Sequence, residues 1–334
     1  MLKFGFGSVP KASIADTVRL VQLGETLGFD VAWVPDQTFF RDPFVVLTAC
    51  VQATNRIRLM LGVTNPYTRH PAQVARAAAT VDELAGGRLS LGYGAGNRKE
   101  LLLPLGMEQT EAGPRCREAV MITKRLLAGE EVHYRSPTLV VDGVRLLLPP
   151  RPGLRVYLAG RGPHILKAAG EVADGVIIGG LVSPGGLTYA LDMVRQGAAS
   201  QNRELTALDI ISWVGCHITD DRAATIETLR PSVAHIIGGA PIEVLRTIGL
   251  ADERITQLKQ AYAAGGPAGG APLVTETEVD LLTIVGSPEE CSAGIRRLEE
   301  AGVNQVGLLL NQPTQEAQEA FLLRFAHEVM PHFR

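Results

Sequence analysis

The chain has 334 residues, enough for one large domain or two ordinary ones. It is 46% apolar and 20% charged with a formal net charge of −3, a globular composition without the long basic run that nucleic acid or an anionic membrane would call for. No apolar run reaches the ~18 residues that span a bilayer, and Met1-Leu2-Lys3-Phe4 lacks a signal-peptide pattern, so a cytoplasmic, membrane-free protein is expected.

Leu2 to Ser8 reads as a short apolar strand, and Ser13 to Leu27 as a helix with Ser13 as its cap and Gly28 just past its end. Val31 to Val34 is a second strand, followed by a helix over Phe44 to Ala53. Ile57 to Val63 is the third strand, Ala72 to Leu84 its helix, and Leu89 to Tyr93 the fourth strand after Gly86-Gly87-Arg88. Strand alternating with helix at this spacing means a parallel sheet, either doubly wound or closed into a barrel.

A helix is expected over Gly113 to Ala128, then a hairpin over Leu139 to Leu146 with Asp142-Gly143 in its turn. Arg155 to Ala159 is the fifth strand, with its helix at Pro163 to Val172. Gly175 to Ile178 is the sixth, with its helix at Pro184 to Gly197, and the seventh lies within Ala207 to Ile218. From Asp220 to Ile284 the rhythm breaks. Two helices (Asp221 to Ile237, Pro241 to Ala263) and a Gly/Pro/Ala loop over Gly265 to Gly270 are expected there. Ser287 with Glu290 three residues on opens a helix to Glu300; Gln305 to Leu310 is the eighth strand and Glu316 to Val329 the last helix. Eight strands, each with a helix, favour a (β/α)8 TIM barrel. The chain is then one domain with insertions at about 129–154 and 220–284.

In a barrel the site is built where the strands end at their carboxyl side. Those ends read Gly7-Ser8, Pro35-Asp36-Gln37, Gly62-Val63-Thr64-Asn65, Gly94-Ala95-Gly96-Asn97, Ala159-Gly160-Arg161-Gly162, Gly179-Gly180-Leu181 and Cys216-His217. Asp36 is the one carboxylate immediately at a strand end, placed to hold a cofactor or relay a proton, or else to cap its own loop. Gly92-Tyr93-Gly94-Ala95-Gly96 does not fit GxGxxG; its glycines are read as letting a flat ring approach the backbone. Gly160-Arg161-Gly162 and Gly179-Gly180 precede helices and suit a phosphate, or else make tight turns. His70, His164 and His217 share no metal-ligand spacing, and the cysteines (Cys50, Cys116, Cys216, Cys291) are scattered without a CxxC, so no metal is expected. No Ser-His-Asp arrangement supplies a hydrolytic nucleophile. A Gly-rich pocket with few charges suits a flat heterocycle held for hydride transfer.

Gly62-Val63-Thr64-Asn65-Pro66-Tyr67-Thr68-Arg69-His70-Pro71 resembles a segment of the bacterial luciferase-like superfamily, and within it of the deazaflavin (F420)-dependent methylenetetrahydromethanopterin reductases. Gly86-Gly87-Arg88, Gly162-Pro163 to Ala173-Asp174-Gly175, Gly286-Ser287-Pro288 and Val329-Met330-Pro331-His332-Phe333 carry the resemblance along the chain. It implies a luciferase-like barrel, a non-prolyl cis peptide at Gly62-Val63 backing the deazaflavin ring, Asp36 and Asn97 near that ring as catalytic residues, and the phosphate near Gly179-Gly180. Thr64, Asn65, Ala159, Gly160, Gly162 and Leu181 complete the expected cofactor contacts. The implied activity is hydride transfer between reduced F420 and a small organic acceptor, in a homodimer or higher homo-oligomer. An FMN-dependent monooxygenase or a non-catalytic flavin or deazaflavin binder stand as alternatives. Two departures stand out: the reductases carry Glu where this chain has Gly7, and Asp where it has Asn97.

Overall fold

The computed structural model describes residues 1–9, 11–37 and 39–334. Its strands in chain order are β1 (Lys3–Gly7), β2 (Val31–Val34), β3 (Arg58–Thr64), β4 (Leu89–Tyr93), β5 (Val132–Arg135), β6 (Val140–Val144), β7 (Arg155–Gly160), β8 (Gly175–Gly179), β9 (Asp209–Ile218), β10 (Thr283–Gly286) and β11 (Gln305–Leu309). Eight of them run parallel in the order β1-β2-β3-β4-β7-β8-β9-β11, and β11 pairs back onto β1, which closes the barrel. The fifth to eighth predicted strands are thus β7, β8, β9 and β11.

The helices are α1 (Ile14–Thr26), α2 (Pro43–Ala53), α3 (Pro71–Ala85), α4 (Ala112–Leu127), α5 (Pro163–Val172), α6 (Pro184–Ser200), α7 (Arg222–Gly239), α8 (Ile242–Thr247), α9 (Asp252–Gly270), α10 (Glu276–Leu282), α11 (Pro288–Glu300) and α12 (Gln315–Glu328). Local chemistry sets their starts. Ser13 Oγ accepts the Asp16 N–H at 3.1 Å, and Ser287 and Glu290 exchange side-chain-to-backbone bonds in a capping box. His70 Nδ1 accepts the Ala72 N–H at 3.2 Å and so caps α3. No helix among the described residues is long and apolar enough to cross a membrane.

Strand alternation divides the apolar residues into two shells. Phe4, Phe6, Leu59, Leu61, Leu89, Leu91, Tyr93, Val156 and Leu158 face outward and are buried beneath the helices. Val31, Trp33, Met60, Tyr157, Ile177 and Ile211 fill the lumen, with Val63, Ala159 and Trp213 above them. At the amino ends of the strands lies a polar bowl of about 580 Å³, ringed by Lys3, Arg58, Arg155, Tyr157, Asp209 and Gln305.

Three expectations are corrected. The hairpin is β5–β6, and its turn is Ser136 to Leu139, not Asp142-Gly143. Ser136 Oγ accepts the N–H groups of Thr138 and Leu139, both at 3.1 Å, and donates to Glu118 of α4, so a hydroxyl and a proline fix the reversal. Asp142-Gly143 sits inside β6 as an irregularity between the Val132↔Val144 and Tyr134↔Val141 pairs, with Gly143 at φ 64°. The predicted helix Pro241 to Ala263 is two, α8 and α9, separated at Gly249, whose φ of 101° ends the first. The expected loop at 265–270 instead continues α9 across a kink at Gly265 and Gly266. The short strand β10, parallel to the carboxyl half of β9, closes the second insertion and has no counterpart in the sequence reading.

Candidate active site

The carboxyl ends of the strands form a mouth whose second and third staves are tied together by one ionic knot. Asp36, just past β2, accepts Thr64 Oγ1 at 2.6 Å and Arg69 Nε at 2.6 Å on one oxygen, and Arg69 Nη2 at 3.2 Å on the other. Arg69 reaches on to Asp42, the cap of α2, at 2.7 Å. The Asp36 side chain is only 8% exposed. Its acceptor capacity is directed into the protein, and it anchors the β3–α3 loop. Asn65 acts in the same loop: its Oδ1 accepts the N–H groups of Tyr67 and Thr68 at 3.1 and 3.0 Å. Arg69, which the sequence reading did not single out as a site residue, is the hinge pin of this arrangement.

The Gly62–Val63 peptide is cis, and the β3–β4 register shifts between Leu61 and Thr64. Val63 leans across β4. A Cβ at Gly92 would lie 2.6 Å from Val63 Cγ1, and one at Gly94 2.9 Å from Val63 Cγ2. The β4 glycines thus make room for a valine of the neighbouring strand, where the sequence suggested room for a bound ring. Trp33 shows the same logic deeper down. Its side chain lies across the lumen, and a Cβ at Gly5, Gly62 or Gly307 would stand 2.2, 2.3 or 2.8 Å from its ring atoms. A Cβ at Gly7 would meet the Trp33 Cβ at 2.8 Å and its carbonyl oxygen at 3.0 Å.

Asn97 caps a π-turn, Arg98–Leu102. Its Oδ1 accepts the N–H groups of Lys99 and Glu100 at 3.0 and 3.1 Å, and its Nδ2 donates to Glu100 Oε2 at 3.0 Å. The neighbouring Lys99 ammonium sits 5.0 Å from the Tyr262 ring of α9, and Tyr262 Oη pairs with His235 Nδ1 of α7 at 3.0 Å. The second insertion is therefore one wall of the mouth.

On the opposite side Ala159 faces the lumen, a Cβ at Gly160 would lie 2.5 Å from Ile165 Cγ2, and Gly162 caps α5 with no side-chain partner. At Gly179 a Cβ would be in ordinary van der Waals contact with Arg161 Nη2, at 3.7 Å. Gly180 takes φ 67°, and its N–H donates to the Trp213 carbonyl at 3.0 Å, so this amide is not free to cradle a phosphate. Leu181 is 1% exposed and belongs to the outer core. Two buried ring nitrogens, Trp213 Nε1 and His217 Nε2, have no hydrogen-bond partner among the described residues. Burial pushes the His217 pKa down to about 4, so the ring is neutral near pH 7. Buried polar atoms without a partner also occur away from the mouth, at Arg115 Nε and Ser292 Oγ among others.

Residues 2–305 match the family described as luciferase-like monooxygenase. The chain belongs to this family. Its relatives include the 5,10-methylenetetrahydromethanopterin reductase of Archaeoglobus fulgidus, 30% identical with all of both chains covered. The F420-dependent glucose-6-phosphate dehydrogenase of Beutenbergia cavernae is 28% identical, covering all of this chain and 98% of the other. Among solved structures, the coenzyme F420-dependent tetrahydromethanopterin reductase of Methanopyrus kandleri superposes with a TM-score of 0.85 at 28% identity, over all of this chain and 99% of that one. The chain thus covers 98% or more of each of these relatives.

Proposed function

We propose that this luciferase-like protein is an F420-dependent oxidoreductase that moves a hydride between reduced deazaflavin and a small organic acceptor. The observation that carries the reading is full-length similarity to reductases and dehydrogenases named for F420. The mouth fits such a group: Trp213 Nε1 and His217 Nε2 are buried there without partners among the described residues. F420, when bound, supplies a flat deazaflavin that donates or accepts hydride.

The chain's own residues would do the rest. Val63, held by Gly92 and Gly94, backs the ring, while Asp36, through Thr64 and Arg69, fixes the loop that carries it. Asn97 holds Glu100 at the rim. Lys99, Tyr262 and His235 bound the acceptor's side of the mouth. Gly7 leaves no acid at the end of β1, so a proton delivered to the acceptor comes from elsewhere. The protein is further proposed to be a cytoplasmic homodimer or higher homo-oligomer; its free cysteines, all buried, fit a reducing compartment.

Fluorescence titration of the purified protein with F420 and with FMN tests the cofactor. Tight F420 binding is expected, together with turnover on a panel of imine, enone and pterin acceptors. Tight FMN binding with none for F420 would falsify the reading in favour of a flavin monooxygenase.

A further inference from the structure

The barrel has a second concavity, at the end opposite the mouth. The bowl at the amino ends of the strands holds about 580 Å³, the size of a small-metabolite site. Lys3, Arg58, Ser90, Arg155, Asp209 and Gln305 line it, each two positions before a lumen-facing residue of its strand, as Arg58 is before Met60 and Arg155 before Tyr157. The inward layers of such a barrel are ordinarily packed side chains. Here the lowest layer is polar and encloses a space.

The charges on this wall do not cancel. Asp209 pairs with Arg155 and accepts the Tyr157 hydroxyl at 2.7 Å. The other two carboxylates on the bowl are directed at backbone. Glu25 accepts the N–H groups of Asn55, Arg56 and Ile57, and Asp30 accepts that of Phe4 at 2.8 Å. Arg56 feels the Glu25 charge but forms no ion pair with it. Lys3 and Arg58, on either side of β2, have no ion pair and no side-chain hydrogen bond among the described residues. Lys3 is exposed and Arg58 half-buried.

Gln305 points the same way independently. It is 6% exposed, lines the bowl, and is the β11 partner of Lys3. Its side-chain amide makes no hydrogen bond among the described residues. A carboxamide so buried costs stability unless something in the bowl completes it.

We propose that this bowl binds a small anion carrying two or more phosphate or carboxylate groups, held by the Lys3 ammonium, the Arg58 guanidinium and the Gln305 amide N–H, with Arg56 beside it. Two unanswered cations and a space larger than one oxyanion call for more than one charged group. The site is separate from the mouth, because Met60, Tyr157 and Ile211 fill the lumen between them, with Trp213 above. It therefore stands whichever cofactor the mouth takes.

The probes are pyrophosphate and citrate, titrated by calorimetry at constant ionic strength set with chloride. Wild type is compared with K3M, R58M, Q305M and R98M; Arg98 is an exposed arginine on the opposite rim. Wild type is expected to bind at least one probe with a Kd of about 1 mM or tighter. K3M and R58M each weaken it about 10- to 100-fold, the scale of a charge-assisted hydrogen bond, and Q305M about 3- to 10-fold. R98M leaves it unchanged. Preference for pyrophosphate marks a phosphate ligand, and preference for citrate a carboxylate one. Lys3 is exposed, so K3M should melt with wild type when unliganded and decides the matter even if R58M does not fold. Weaker binding of both probes to wild type, unchanged affinity in K3M or in folded R58M, or an equal loss in R98M overturns the proposal and leaves the bowl a solvated end of the barrel.

Discussion

Gly307→Ala is expected to lower stability by about 1–3 kcal/mol, the range for overfilling a packed core. The added methyl would stand 2.8 Å from Trp33 Cη2, 3.2 Å from Trp33 Cζ3 and 3.1 Å from Trp213 Cδ1. All three are ring atoms, so the fit depends on whether the indoles can move. Trp33 is held from two other sides, since its ring also occupies the Cβ positions of Gly5 and Gly62. It is 3% exposed and has no open direction. Trp33→Leu should itself cost about 2–4 kcal/mol by leaving a cavity. In that background the alanine at 307 meets space where the ring was, so the double variant should be no less stable than Trp33→Leu. The coupling is then about 1–3 kcal/mol and opposite in sign to the Gly307→Ala cost. Urea unfolding followed by circular dichroism, with unchanged denaturant slopes, measures all four corners of the cycle. Costs that add to within about 0.5 kcal/mol would show that Trp33 does not box Gly307, and the account of the lumen would fail.

Arg69→Met leaves the Asp36 carboxylate with Thr64 alone. The expected cost is about 1–2 kcal/mol after allowance for Arg69 being 29% exposed, with faster proteolytic nicking between residues 62 and 71. His217 carries a pH signature. Burial lowers its folded pKa from 6.5 to about 4, so the unfolded chain binds this proton first; its contribution is fully present above pH 6.5 and is lost as pH falls toward 4. His217→Gln should therefore flatten the difference in unfolding free energy between pH 7 and pH 4, measured by urea titration, by up to about 3 kcal/mol, and an unaltered pH profile would contradict the burial argument. Gly180→Asp puts a carboxylate beside the Ile236 side chain, next to the expected phosphate position, at a φ of 67°, which Asp tolerates. Loss of F420 binding with a melting temperature within a few degrees of wild type is the expected result, and retained affinity would move the anion away from β8.

The fold was legible because each barrel strand is an apolar run of the right length ending in glycine or a polar residue, and each helix start carries its own signal, Ser13 and Ser287 among them. The hairpin turn was misplaced because Asp142-Gly143 is a strong turn dipeptide, while the real turn rests on Ser136 contacting Glu118, a residue 18 positions away. In the site, the strand ends were readable but the roles of their side chains were not. Asp36 reads as a free acid until Arg69, 33 residues on, is seen to engage it. Gly92 and Gly94 read as a ligand's landing until Val63 of the next strand is seen to fill the space. Arg161 has a visible signal, a lone charge between two glycines at a strand end, but its burial without a carboxylate partner among the described residues shows only in the fold.

The lumen also constrains the chemistry. A side chain at position 7 does not fit this chain as built, because the obstruction is the Trp33 Cβ and backbone oxygen of β2, not the movable edge of the ring. Placing one there would require β2 to shift, and β2 is locked by its pairing to β1 and β3. Gly7 and the placement of Trp33 on β2 are therefore one structural choice. At the other rim Asn97 is neutral and engaged with Glu100. Of the two carboxylates placed at this mouth, Asp36 is clamped by Thr64 and Arg69, whereas Glu100 is exposed and accepts from Asn97 on one oxygen. On the proposed hydride-transfer reading, an acceptor would draw its proton from solvent or from the strand-four side, where Glu100 is exposed, and not from strands one or two. That geometry favours acceptors whose reduced form is protonated at the open face of the mouth over those that need an acid held beneath them in the lumen.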